Sequence, residues 1–218
     1  MTSGTVEAGT AAAGVAEAHG APTVIHPGWV RITHWINVVA MFVMIGSGWR
    51  IYDASPLFRF VFPRAITIGD SLDGLPGALL WHFAAMWLLV VNGIVYVMLG
   101  ILTGRFRRKL LPIRPAEVVR DLSAALAGRL SHDDLSVYNA VQRLLYIGVI
   151  GAGIVIVLSG MSIWKPVQFQ ELTAAFGGYD WARYVHFFAM AVIAGFLAVH
   201  ITLAILVPKS LRAMIVGR

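Results

Sequence analysis

The sequence predicts an all-α integral membrane protein, a bundle of four transmembrane helices. Three observations predict it. The chain of 218 residues is 58% hydrophobic and only 13% charged, more apolar surface than a soluble fold of that size can hide. Four apolar runs reach the ~20 residues that a bilayer crossing needs. The Lys and Arg residues, which give a net charge of +6, are concentrated in one connection, where they read as a topology signal and not as a nucleic-acid surface. Backbone N–H and C=O groups in lipid must bond internally, so the runs are helices; none shows the alternation of a barrel strand.

Residues 1–25 are rich in Ala, Gly, Thr and Val, with neither a basic start nor an apolar core. They predict a disordered cytoplasmic tail. The membrane domain is expected over residues 26–212, with a C-terminal tail over 213–218. Its spans run from about Trp29 to Trp49, Gly77 to Leu102, Tyr138 to Trp164 and Trp181 to Val207. Tryptophans at several ends suit the interfacial belt. Pro27 and Pro76 suit first helical turns, Asp180 is the expected N-cap of the fourth span, and Pro208 with Lys209 should close it. The second connection holds Arg105, Arg107, Arg108, Lys109, Arg114, Arg120 and Arg129. This predicts cytoplasmic N- and C-termini in a bacterial inner membrane. Within it, Pro115 to Leu130 has the apolar spacing of a helix lying on the membrane surface. The apolar stretch Leu57–Phe62 of the first connection should rest at the outer interface or against a partner.

With no cysteine in the chain, thiolate metal sites, iron–sulfur clusters and covalent c-type haem are excluded. Four of the seven histidines, His34, His82, His186 and His200, lie inside spans, where ionisable groups are costly. His186 and His200 are 14 residues apart, so they share a face and stand ~21 Å apart along the axis. The first span starts inside, putting His34 level with His200. The second starts outside, putting His82 level with His186. Two transverse imidazole pairs result, which suit the iron of two b-type haems with both axial positions filled. Gly93 and Gly100 share the face of His82, and Gly153 and Gly160 that of Gln142. They leave room for a haem or for ordinary helix packing. Arg31, Arg50 and Arg183 near span ends suit haem propionates or lipid phosphate. His19, His26 and His132 have no depth-matched partner and are expected to be solvated.

Arg31-Ile-Thr-His34-Trp35, Trp81-His82, Tyr138-Asn139-Ala140-Val141-Gln142-Arg143 and the pair His186/His200 together resemble the prokaryotic di-haem cytochrome b family. It includes the b subunits of nickel–iron hydrogenases and thiosulfate reductases and the gamma subunit of formate dehydrogenase. The resemblance covers about residues 26–212. It implies that the four histidines are haem ligands in the pairs His34/His200 and His82/His186. It implies too that Asn139 and Gln142 bind a quinone (ubiquinone or menaquinone) near the inner haem. Amides suit a quinone carbonyl; their other reading is solvation of the span's end. Arg143 stands where the family often has Lys. The first connection, Tyr52–Phe58, resembles that of b subunits paired with periplasmic molybdopterin oxidoreductases, and a hydrogenase is the other partner.

The reading that follows is an electron-transfer subunit between a periplasmic redox partner and membrane quinone. Two others compete. One is a standalone cytochrome b similar to superoxide oxidase. The other is a haem-free membrane anchor or transporter, against which the shortage of intramembrane carboxylates argues for the transporter form.

Overall fold

A computed structural model describes residues 25–69, 75–112, 114–127 and 139–217. The expected tail up to residue 24, His19, His132, Arg129 and Tyr138 lie outside these residues. The described chain forms eight helices: α1 (Gly28–Ala54), α2 (Leu75–Leu102), α3 (Arg105–Leu110), α4 (Pro115–Leu126), α5 (Ala140–Trp164), α6 (Gln170–Ala175), α7 (Tyr179–Leu206) and α8 (Pro208–Val216). A 3-10 turn, Arg64–Ile66, lies between α1 and α2. Helices α1, α2, α5 and α7 are long and apolar enough to cross a membrane, and they match the four expected spans to within a few residues. Large apolar side chains such as Leu80, Ile101, Leu102 and Ile205 are more than half exposed, as a lipid-facing surface requires.

The spans are organised as two hairpins. α1 packs along α2 and α5 along α7, whereas no long helix packs extensively on one from the other hairpin. Small residues permit the close packing within each: Ala78 and Ala85 on α2, Ala182 and Ala189 on α7 are all buried. Polar groups reinforce the first hairpin. Buried Asn92 on α2 donates to the Thr33 carbonyl and to Asn37 Oδ1 on α1, both at 2.7 Å.

At one end, here the basic end, α3 and α4 connect the hairpins. α4 is amphipathic as expected. Asp121 accepts from the Ala140 N–H at the start of α5 (2.9 Å), while Val119 and Leu122 are exposed, the arrangement of a helix lying on a bilayer surface. At the opposite end the stretch 55–69 folds back over its own chain. Phe58 contacts Tyr184, Phe187 and Phe188, and Phe62 stacks on Trp49 with centroids 4.7 Å apart. Gly69, at φ 115, is pressed against the Ala78 backbone, where an added Cβ would come within 2.4 Å. Only glycine suits that turn.

Several sequence expectations need correction. Asp180 is inside the first turn of α7, not its N-cap; Gly178 holds that position without a side-chain cap, and Asp180 instead complements the helix dipole. Pro27 is likewise the N-cap residue of α1. Pro208 closes the fourth span as expected, since α7 ends at Leu206, but it also begins a further helix, α8, at a position where its missing N–H costs nothing. The segment after 212 is therefore helical up to Val216. Arg31 on α1 donates to its last carbonyls, Met214 (3.3 Å) and Ile215. His26 is buried, not solvated, and its Nδ1 accepts from Arg105 at 3.3 Å.

Candidate functional site

The four span histidines come together as two pairs. At the basic end His34 of α1 meets His200 of α7, with ring centroids 6.0 Å apart and planes at 66°. Trp35 lies edge-on to His34, and Phe196 stacks beside His200. Towards the other end His82 of α2 and His186 of α7 are close enough to interact electrostatically. All four rings are half-buried, and each pair bridges the two hairpins.

The second pair is held from behind by a feature repeated in both hairpins. Ser47 Oγ lies 3.1 Å from His82 Nδ1, and Ser159 Oγ lies 3.1 Å from His186 Nδ1. The carbonyls of Met44 and Ile156 also bond to these rings. The next residue is glycine in each case. A Cβ on Gly48 would sit 3.4 Å from His82 Cε1, and one on Gly160 would sit 3.2 Å from His186 Cε1. The rings therefore lie against bare backbone. Sequence reasoning overlooked Ser47, Gly48 and Ser159 and placed Gly160 only on the face of Gln142, although an internal repeat marks all four. Ser47-Gly48-x-x-Ile51-Tyr52 parallels Ser159-Gly160-x-x-Ile163-Trp164, and His82-Phe83-x-Ala85-Met86 parallels His186-Phe187-x-Ala189-Met190.

The other candidates are placed as follows. Asn139 and Gln142 form a capping box at the start of α5: Asn139 Oδ1 accepts from the Gln142 N–H (2.8 Å), and Gln142 Oε1 accepts from the Asn139 N–H (3.1 Å). Both side-chain oxygens are used, and the amide NH2 groups are unengaged among the described residues. Arg143 donates to the Pro112 carbonyl. Arg31 is committed to α8 as described, and Arg183 to the carbonyl and hydroxyl of Ser55 at the end of α1. Arg50 is half-buried, one turn beyond Ser47. Of the glycines, Gly93 and Gly153 face open space, but Gly100 does not: the Phe106 ring of α3 lies where its Cβ would be. Its small size serves helix packing.

These residues fit a haem. Two metal–imidazole bonds of about 2 Å each, plus the ring radii, set centroids roughly 6 Å apart across a metal, the spacing His34 and His200 have. The donor set is nitrogen only and comes in twos; among the described residues no group of three or more His, Cys, Asp or Glu side chains could hold a bare metal ion.

The prokaryotic cytochrome b561 family profile matches residues 25–217, the whole of the helical domain. A putative protein-methionine-sulfoxide reductase subunit YedZ1 of Azospira oryzae is 52% identical over 193 residues, covering 88% of this chain and 96% of that protein. The chain belongs to the prokaryotic cytochrome b561 family, and is a membrane-integral b-type cytochrome of electron transfer.

Proposed function

We propose that this cytochrome carries electrons between the membrane quinone pool and a periplasmic oxidoreductase, through two b haems ligated by His34/His200 and His82/His186. The observation that carries the reading is the pairing itself: two histidine pairs at two depths, each with one ring from either hairpin. When bound, the haems supply two one-electron carriers spaced across the bilayer. His34/His200 and His82/His186 would hold the haems, and the shared helix α7 would keep the two pairs ~21 Å apart by helix rise.

The basic end is cytoplasmic in this reading, since α3, α4 and their connections carry more Lys and Arg than either of the other two connections between spans. Both termini are then cytoplasmic and the membrane is the bacterial inner membrane. Asn139 and Gln142 lie at this end, with amide NH2 groups to donate to the carbonyl oxygens of ubiquinone or menaquinone. The His82/His186 pair lies nearer the periplasm, beneath the aromatic 55–69 stretch, whose exposed Phe60 and Val61 are available to a partner. The relative's name makes it a subunit of a protein-methionine-sulfoxide reductase, so the partner proposed here is a periplasmic reductase of that kind. This accords with the molybdopterin oxidoreductase that the first connection suggests. Arg50 is proposed to meet a propionate at the His82/His186 level. Arg31 and Arg183 are better explained by the carbonyls they hold.

The test is to purify the chain with its native neighbours and titrate it with quinol. Reduction of the haems followed by reduction of methionine sulfoxide by a co-purified partner is the expected result. Haem reduction by superoxide without any partner would favour the standalone alternative.

A further inference from the structure

We propose that Ser47 and Ser159 form a duplicated clasp that holds His82 and His186 with Nδ1–H as hydrogen-bond donor and thereby lowers the reduction potential of the haem they ligate. The proposal rests on the ligand assignment above.

Serines in membrane helices commonly bond back to the preceding turn, and both do so here. Ser47 Oγ donates to the Val43 carbonyl (2.6 Å) and Ser159 Oγ to the Val155 carbonyl (2.8 Å). That bond fixes the hydroxyl proton on the helix, so the oxygen turned to the imidazole presents a lone pair. A ring nitrogen 3.1 Å away must then carry the proton and donate it. The adjacent carbonyls of Met44 and Ile156 accept as well and make the same demand. With the proton fixed on Nδ1, Nε2 is bare and free to bind metal. Both serines are fully buried, 0% exposed, so water cannot take their place. Gly160 lets its ring approach its serine's helix, because a Cβ there would press to 3.2 Å from His186 Cε1, while one on Gly48 would just touch His82 Cε1 at 3.4 Å.

The other pair lacks this support. Among the described residues no hydrogen bond reaches a ring nitrogen of His34 or His200, whose neighbours are Trp35 and Phe196. The two sites therefore differ in kind. An imidazole that donates from Nδ1 is a more basic ligand at Nε2, and a more basic ligand stabilises ferric over ferrous iron. The clasp occurs in both hairpins with a serine, a glycine and a backbone carbonyl, so both His82 and His186 would carry its effect.

The experiment is a redox titration of the full-length protein in detergent, with dithionite supplying one electron per iron, on Ser47→Ala, Ser159→Ala and the double variant. Haem content is measured in parallel by pyridine haemochrome. His82→Ala identifies which spectral component belongs to the clasped site. Each single variant should keep its haems and shift that component toward easier reduction, with the double variant reaching about tenfold, ~59 mV for a one-electron couple. The other component should not move. Unchanged potentials at full haem content overturn the clasp, as would an equal shift of both components. Should the double variant fail to fold, the singles decide, since each retains one whole clasp and both carbonyl acceptors. Loss of no haem in His82→Ala would instead remove the ligand assignment on which the clasp depends.

Discussion

His34 on α1 and His200 on α7 face each other at 6.0 Å across the two hairpins, flanked by Trp35 and Phe196. Each ring comes from a different hairpin, so neither hairpin alone offers a complete site. Replacing either ring should empty one site and spare the other, because the two pairs share a helix but no residue. His34→Ala and His200→Ala should each leave one haem per chain by pyridine haemochrome, with the same spectrum remaining. His82→Ala and His186→Ala should leave the complementary spectrum. Loss of both haems in every variant would defeat the two-pair arrangement.

The capping box at Asn139 allows the quinone role to be separated from the structural one. Asn139→Ala removes both cap and amide, and should destabilise α5 by about 0.5–2 kcal/mol. Asn139→Asp keeps a capping oxygen but loses the NH2 donor. It should hold both haems and melt like wild type, yet re-oxidise about ten- to a hundredfold more slowly with a soluble quinone analogue, the effect of losing about 1–3 kcal/mol of hydrogen bonding. Stopped-flow absorbance measures this. Wild-type rates in Asn139→Asp would leave Asn139 a helix cap only.

Glycine substitutions should divide by what each glycine faces. Gly160→Ala presses a methyl to 3.2 Å from the His186 ring and should perturb the spectrum of one haem or lower its occupancy. Gly100→Ala drives into Phe106. That should loosen α3 from α2, cost about 1–3 kcal/mol of overpacking, and leave both haems in place. A thermal melt alongside haem quantitation distinguishes the two, and a spectral change in Gly100→Ala with unaltered stability would reverse the assignment.

Asn92 bonds α2 to α1 one residue from His34, through the Thr33 carbonyl and Asn37. Asn92→Leu should lower stability by about 0.6–2 kcal/mol, the range for polar contacts between membrane helices. Loss of haem from the purified protein on heating should begin at the His34/His200 site. Release from the His82/His186 site first would show that Asn92 does not hold α1 at the level of His34.

The spans were legible because apolar length and arginine placement are properties of single segments, needing no tertiary knowledge. Histidine pairing was legible for a related reason: helix rise and alternating direction fix depth, and depth alone matches His34 to His200. Side-chain direction was not. Arg31 and Arg183 lay near the right level for propionates, but carbonyls at helix ends that are distant in sequence accept from them. Gly100 shared the face of His82 by helical period, yet α3 doubles back to fill the space with Phe106. Ser47 and Ser159 escaped notice because serine in an apolar helix is ordinary; only their repetition beside Gly48 and Gly160, opposite matching His-Phe-x-Ala-Met runs, sets them apart. His26 shows the same limit, since its partner Arg105 comes from beyond two spans.

The N–H groups of Ile25 (2.9 Å) and His26 (3.4 Å) both reach the carbonyl of Gly217, while Arg31 grips the end of α8. An even number of crossings returns the chain to the side from which it set out, and these bonds bring it back to the same spot. The helical domain is thus a closed circuit with a seam at residues 25 and 217, and its order of spans is a matter of where that circuit is cut. A circular permutant, spliced across the seam by a short glycine linker and reopened between α4 and α5, keeps each hairpin whole and lets α5–α7 enter the membrane first.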